Sequence, residues 1–170
     1  MKPLIIFDLD HTLIHSTYIN NKLTVNIRPY FVNLFFYLNE NNYDIAFWSL
    51  GEEIYVNDVI LCLKQKINFN PKFIISKVNG KSQFIDILSK IVFDIDCINS
   101  IFIKKISTLR KFIPIDTNKI ILVDDLFTNI YYNEKCNSYH IKEWHNTMLW
   151  DDELNRFEKL LIVLRTYSNY

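Results

Sequence analysis

The stretch FDLDHTL, Phe7 to Leu13, follows the apolar run Leu4-Ile5-Ile6 and sets two acids, Asp8 and Asp10, one residue apart. Three more apolar runs end on side chains able to do chemistry: Ile45 to Trp48 on Ser49, Ile101 to Ile103 on Lys104, and Ile120 to Val123 on the pair Asp124-Asp125. Lys77, after Phe73 to Ser76, is a rival amine to Lys104. Brought to one place, these carboxylates, the hydroxyl and the amine suit attack on a phosphate monoester. The anionic phosphate repels a carboxylate nucleophile unless cations neutralise it; a lysine ammonium and a hard ion such as Mg²⁺, held by carboxylate oxygens and waters, both do so. The nucleophile then forms an aspartyl-phosphate that water hydrolyses. A second acid two residues on can protonate the leaving oxygen and later deprotonate the attacking water.

Positioning such a set requires strands that end together. Phe31, Leu34, Phe35 and Leu38 fall at i, i+3, i+4 and i+7 behind Arg28-Pro29, where proline suits the first turn of a helix. A second helix is predicted from Glu52 to about Lys66 with Tyr55, Val59, Cys62 and Leu63 on one face. Phe84, Ile87, Leu88 and Ile91 make a third stripe, and Leu154, Phe157, Leu161 and Leu164 a fourth, opened by Asp151-Asp152-Glu153. Leu13 to Ile27 reads as a hairpin turning at Asn20-Asn21, and Pro29 to Asn41 as the first helix. Continuous apolar strands separated by helices imply an α/β fold with a mostly parallel sheet covered by helices on both faces. Such sheets bind ligands at the carboxyl ends of their strands.

The chain of 170 residues is expected to form a single domain, 1–170, with a flap at about 13–27 and an insert at about 69–100. Lys+Arg and Asp+Glu are 19 each, so no basic field drives unspecific nucleic-acid binding. Cys62, Cys97 and Cys136 show neither a CxxC nor a pairing pattern, which argues against a zinc site on cysteine and suits a reducing compartment, cytoplasmic or nuclear. The apolar run after Met1-Lys2-Pro3 is too short for a signal peptide, and no run is long enough to span a membrane. Two Gly beside abundant Asn, Ile, Lys, Phe and Tyr is the composition of an AT-rich coding sequence, as in some large DNA viruses or unicellular parasites. His15, His140 and His145 lack ligand spacing and read as surface or edge residues, His11 is open between aiming a leaving group and a spectator role, and the cluster from Trp144 to Trp150 reads as core packing.

Asp8-Leu9-Asp10-His11-Thr12 resembles the first motif, DxDxT, of the haloacid dehalogenase (HAD) superfamily of phosphatases. The match narrows to the small-CTD-phosphatase branch, also called NLI-interacting-factor-like. Arg28-Pro29 with its helix is similar to that branch's RP helix, YDIAFWS (Tyr43 to Ser49) to its second motif, Ile103 to Leu109 to its VKDLSxL stretch, and ILVDD to its fourth motif. NSYHIKEW and Asp151-Asp152-Glu153-Leu154 are similar to its closing strand and helix, so the resemblance covers roughly residues 3 to 165. It implies Asp8 as nucleophile and Mg²⁺ ligand, and Asp10 as general acid/base whose backbone carbonyl also meets the metal. Thr12 would hydrogen-bond near the motif and fix its turn, close to the phosphate; Ser49 and Lys104 would hold the phosphoryl oxygens. Asp124 and Asp125 would complete the metal site, with the choice of direct ligand open between them. Lys105 stands where the branch usually has Asp, and Trp48-Ser49-Leu50-Gly51 departs from the commoner threonine-bearing second motif.

The interval from Asp8 to Ser49 holds a flap and one helix and leaves no room for a first-type cap domain; that from Ser49 to Lys104 is short for a second-type cap. A capless site is open and suits phosphate displayed on a macromolecule. The branch implies a phosphoprotein or phosphopeptide carrying phosphoserine or phosphothreonine, such as the RNA polymerase II C-terminal repeat. The alternatives are a capless phosphatase of nucleic-acid phosphate ends, with Lys104-Lys105 and Arg110-Lys111 as a local path for the strand, and a catalytically inactive peptide-binding module.

Overall fold

A strand whose side chains are all apolar must lie inside a sheet covered on both faces, and β1 (Leu4–Phe7) is buried from end to end. The structure, a computed structural model, describes residues 2–20, 22–78, 81–85, 92–94, 96–98, 101–114, 116–133 and 137–168. After β1 come β2 (Ile14–Ile19), β3 (Lys22–Ile27), α1 (Phe31–Glu40), β4 (Asp44–Glu52), α2 (Glu53–Lys64), β5 (Ile74–Val78), β6 (Lys81–Phe84) and β7 (Val92–Asp94). Then follow β8 (Asp96–Ile98), β9 (Ile101–Ile103), α3 (Ile106–Leu109), β10 (Ile120–Asp124), α4 (Phe127–Tyr131), β11 (Asn137–His140) and α5 (Glu153–Ser168).

Among the described residues the main sheet has seven strands in the order β11-β10-β1-β4-β5-β6-β7. The run from β11 to β5 is parallel, and β6 and β7 add to its edge antiparallel. Side chains alternate across it: Ile5, Phe7, Ile45, Phe47 and Val123 enter one core with α1, α2 and α5, while Leu4, Ile6, Ala46, Trp48, Ile120 and Leu122 enter a second with α3, Phe73 and Phe84. The expected mostly parallel α/β sheet, with helices on both faces, is the fold observed. No helix among the described residues is long and apolar enough to cross a membrane.

Helix α1 buries Phe31, Leu34, Phe35 and Leu38, the stripe its period predicts. Its start differs: Tyr30 is the N-cap in the left-handed region, φ 63°, so Arg28-Pro29 forms the turn ahead of the helix instead of its first turn. In α2 the buried stripe is Val56, Val59, Ile60 and Leu63, leaving Tyr55 and Cys62 only partly covered. The flap hairpin pairs Ile14 with Ile27 through Ile19 with Lys22; its turn residue Asn21 lies outside the described residues.

Of the predicted third stripe, the structure places Phe84 alone. Phe84 ends the strand β6, buried against Phe73 and Phe112, and Ile87, Leu88 and Ile91 lie outside the described residues, as do Gly80 and Cys136. The run Ile101 to Ile103 is a strand, but it pairs antiparallel with β8 in a separate two-stranded sheet and does not join the main one. In α5, Leu154, Phe157 and Leu161 are buried and Leu164 is exposed. Trp144 is core, whereas Trp150 is 76% exposed, which corrects the reading of that whole cluster as packing.

Phe35 is the hub of the larger core, with ring centroids 4.2 Å from Phe31, 5.3 Å from Phe7, 5.2 Å from Phe69 and 6.2 Å from Phe47. Phe35→Ala is expected to lower the unfolding free energy by about 3–5 kcal/mol, measured by urea denaturation.

Candidate active site

Strand β1 ends at Phe7, and the Asp8 N–H still donates to the Val123 carbonyl at 3.0 Å, so Asp8 stands at the carboxyl edge of the sheet beside β10. Beyond it the chain coils tightly. The N–H groups of Leu13 and Ile14 both donate to the Leu9 carbonyl, and His11 takes the left-handed conformation with φ 61°. Leu9 and Leu13 are fully buried, and anchoring them turns Asp8, Asp10 and His11 to the other side. Those three line a cavity of about 340 Å³ with Ser49, Leu50, Gly51, Lys104, Asp125 and Leu126.

Lys104 is 1% exposed, with its ammonium 2.5 Å from Asp8 Oδ1 and 2.8 Å from Asp124 Oδ2. Burial by itself would lower its pKa, but Asp124 and Asp8 outweigh that and hold it above the usual lysine range, so it stays charged. Its backbone is pinned from α4 and the residues just after it: the Lys104 N–H donates to Asn129 Oδ1 at 3.0 Å, and the Asn133 amide donates to the Lys104 carbonyl. Lys77, the rival amine, instead lies over the Phe102 ring, 5.5 Å from its centroid.

Asp124 and Asp125 divide. Asp124 is fully buried, and protein donors engage both its oxygens: the Leu126 N–H on Oδ1, and Lys104 with the Asn129 amide on Oδ2. Asp125 reaches the cavity wall. Its Oδ1 accepts from the Thr12 hydroxyl at 2.9 Å, and its N–H donates back to Thr12 Oγ1 at 3.1 Å. Thr12 is fully buried and is not among the residues lining the cavity, and its hydroxyl is engaged with Asp125.

Asp8, Asp124 and Asp125 each bring a carboxylate oxygen within 4.8 Å of the others. Burial drives the Asp8 carboxyl well above its ordinary range, against the pull of Lys104 and with the push of Asp124 and Asp125. Burial likewise raises Asp125, with Asp124 adding to it against the Thr12 hydrogen bond. Counting Asp10, four carboxylates stand near one ammonium, and an all-oxygen, charge-excess donor set fits a hard divalent cation.

Tyr55, read from its spacing as core, belongs to the site. Its hydroxyl donates to Asp10 Oδ1 and lies 2.7 Å from Ser16 Oγ, and Ser16 Oγ is itself 3.1 Å from Asp10 Oδ1. Burial and then the Asp10 hydrogen bond raise the phenol above its usual range, so it remains a donor. Gly51 makes room for this ring: a Cβ there would stand 2.5 Å from Tyr55 Cδ1. In a chain with two glycines, Gly51 was the one trace of that approach in the sequence. Ser49 falls where β4 leaves its register with β5, and its Oγ accepts from the Gly51 N–H at 2.9 Å, leaving its proton to donate into the cavity.

Arg28 is 1% exposed and uses all five of its N–H groups. Nε and Nη2 donate to the two oxygens of Asp151 at 2.8 and 2.7 Å, Nη1 to the carbonyls of Thr12 at 2.9 Å and His11 at 3.3 Å, and Nη2 also to the Lys142 carbonyl at 2.7 Å. The acid that opens α5 in the sequence pattern is thus a buried ion-pair partner.

Two of the histidines read as scattered surface residues join His11 in a cluster at the rim, where ring nitrogens of His11, His15 and His145 lie within 4.8 Å of one another. Burial, His145 and His11 lower the His15 pKa, against Asp10. His140 remains an exposed edge residue, its Nε2 donating to the Asp125 carbonyl at 2.9 Å.

Arg28→Met would leave the Asp151 carboxylate buried and unpaired and strip donors from three carbonyls. It is expected to cost about 3–5 kcal/mol, read from the shift of the chemical denaturation midpoint.

A model of NLI interacting factor-like phosphatases matches residues 3–170. No curated protein matches the chain in sequence. Among solved structures it is similar to Fcp1, described as an essential RNA polymerase II CTD phosphatase, with a TM-score of 0.60 and 14% identity over 96% of this chain and 50% of that one. It is also similar to a fission yeast RNA polymerase II CTD phosphatase, Fcp1, bound to beryllium fluoride, with a TM-score of 0.59, 14% identity and the same coverage. The chain therefore spans half the length of these structural relatives, and at that identity they establish the shared fold. The family match does more: the chain belongs to the NLI interacting factor-like phosphatases, a family of HAD-type enzymes.

Proposed function

We propose that this phosphatase is Mg²⁺-dependent, works through an aspartyl-phosphate on Asp8, and removes phosphate from phosphoserine or phosphothreonine in flexible protein segments such as the RNA polymerase II C-terminal repeat. One observation carries the reading: the cavity holds Asp8, Asp10, Asp125, Ser49 and Lys104 together, and Lys104, the one Lys or Arg among its lining residues, is already paired with Asp8 and Asp124.

In this reading an Asp8 carboxylate oxygen attacks phosphorus while the bond to the leaving oxygen breaks. The Lys104 ammonium and the Ser49 hydroxyl hold the phosphoryl oxygens. Asp10, oriented by Tyr55 and Ser16, gives its proton to the leaving alkoxide. It then takes one from a water whose oxygen attacks phosphorus, releasing inorganic phosphate and restoring Asp8. Asp8, Asp125 and the Asp10 backbone carbonyl would hold Mg²⁺, which when bound would supply charge neutralisation for the incoming dianion. Asp124 acts one step back, fixing Lys104.

The apolar rim favours peptide over nucleic acid. Leu50 and Leu126 line the cavity, Phe127 beside it is 62% exposed, and Lys105, Arg110 and Lys111 are not among the lining residues. A strand of nucleic acid would need a basic track to follow its backbone.

Hydrolysis of an aryl phosphate and of a phosphoserine heptad-repeat peptide is expected to require Mg²⁺ and to fall by more than about 10³-fold in Asp8→Asn. A preference for 5′- or 3′-phosphorylated oligonucleotides over the peptide would overturn the substrate assignment. Turnover of none of these by folded wild-type protein would leave a binding module. Tyr55→Phe keeps the ring and removes the donor on Asp10. It is expected to lower kcat about 10–100-fold with little change in KM, measured on the peptide.

A further inference from the structure

The three rim histidines come from three separate segments: His11 from the turn after β1, His15 from the flap strand β2, and His145 from the loop between β11 and α5. Their ring centroids lie 4.6 to 5.5 Å apart. The Nδ1 atoms of His15 and His145 are 3.4 Å apart, about the edge of a tetrahedron with ~2.1 Å metal–nitrogen bonds. A nitrogen from every ring lies within 4.8 Å of the others, so small side-chain rotations bring the third edge to length. All three rings are half-buried, which leaves a fourth position to solvent.

The rings are also oriented from behind. His11 Nδ1 donates to the Trp144 carbonyl at 3.3 Å, which leaves its lone pair on Nε2. His145 Nε2 lies 3.1 Å from Glu143 Oε1, which leaves its Nδ1 lone pair facing His15. A carbonyl on the far nitrogen of His11 and a carboxylate on that of His145 give these two rings the outer support that metal-binding histidines ordinarily have. The donors here are imidazole nitrogens, unlike the oxygen set around Asp8, and imidazole selects zinc-class ions over Mg²⁺.

We propose that His11, His15 and His145 form a Zn²⁺ site, distinct in chemistry from the acidic centre, that ties the flap hairpin to the loop before α5 at the mouth of the cavity. Because the ligands lie on separate segments, occupancy restrains β2 against the body of the protein. His11 lines the cavity as well, so the ion would sit within reach of its rim.

The test is calorimetric titration of the full chain with Zn²⁺ in excess Mg²⁺, using wild type, Asp8→Asn, His15→Gln and His145→Gln, each checked by circular dichroism. Co²⁺ absorption reads the geometry and amide hydrogen exchange reads the flap. One Zn²⁺ per chain is expected in wild type and in Asp8→Asn, with at least about tenfold weaker binding in each histidine variant. Intense tetrahedral-type Co²⁺ bands and slower exchange across Ile14–Ile19 on Zn²⁺ addition are also expected. Should one histidine variant fail to fold, the other decides. The proposal is overturned if wild type binds no Zn²⁺, if the histidine variants bind as wild type does, or if binding is lost in Asp8→Asn and kept in them.

Discussion

Arg28 is the constraint on which the site's geometry rests. Its guanidinium joins three stretches far apart in the chain: the motif turn at His11 and Thr12, the loop at Lys142, and the head of α5 at Asp151. The turn needs such support. A non-glycine residue in the left-handed region is costly in isolation and persists where its surroundings over-determine it, and the His11 carbonyl accepts from both Arg28 and the Trp144 N–H at 2.8 Å. With that carbonyl fixed, the coil from Leu9 to Ile14 has one conformation, and Asp8, Asp10 and His11 emerge from it in a set order. The charge on Arg28 is tolerable inside because every donor has an acceptor and Asp151 neutralises it in bidentate geometry.

A second constraint is electrostatic. Asp8 and Asp124 are both buried, and each would be costly as a charge without Lys104 between them. Lys104 in turn owes its place to Asn129 in α4 and Asn133 just after it, whose amides hold its backbone N–H and carbonyl. The order of dependence runs from α4 to the strand end of β9, then to the ammonium, and last to the carboxylate that we propose as nucleophile. This explains how β9, outside the main sheet, can still deliver its terminal residue to the rim: amide hydrogen bonds replace the strand ladder as the positioning device.

The sequence made part of this readable. β1 and β10 are continuous apolar runs that can only be buried strands, and the acids that follow them lie at the sheet's edge as that reading requires. Helix α1 is strongly amphipathic, and its stripe emerged residue for residue. Tyr55 was misread because a tyrosine on a helical stripe looks apolar until the site that takes its hydroxyl is known. Phe84 was misread because it matches a helical stripe as well as a strand end, and only the pairing of β6 with β5 decides between them. The partnership of Arg28 with Asp151 and the meeting of His15 with His145 span 123 and 130 residues of chain, and no local pattern encodes such contacts.

Where the insert goes bears on how the enzyme meets its substrate. A cap closes an active site by rising from the strand ends beside the catalytic acids. Here β6 and β7 are added in the plane of the sheet, two and three places beyond β4. At ~4.8 Å per strand they widen the platform by roughly 10 Å to one side, and no described residue of the insert lines the cavity at the carboxyl edge of β1, β4 and β10. Exclusion of water and recognition must then come from the rim: the flap β2–β3, the loop carrying Trp144 and His145, and the apolar pair Leu126 and Phe127. An enzyme so built gains little from enclosing a small metabolite. The substrate we propose, a phosphate carried on a flexible chain, would contact the flap and the apolar rim while its phosphoryl group reaches Asp8.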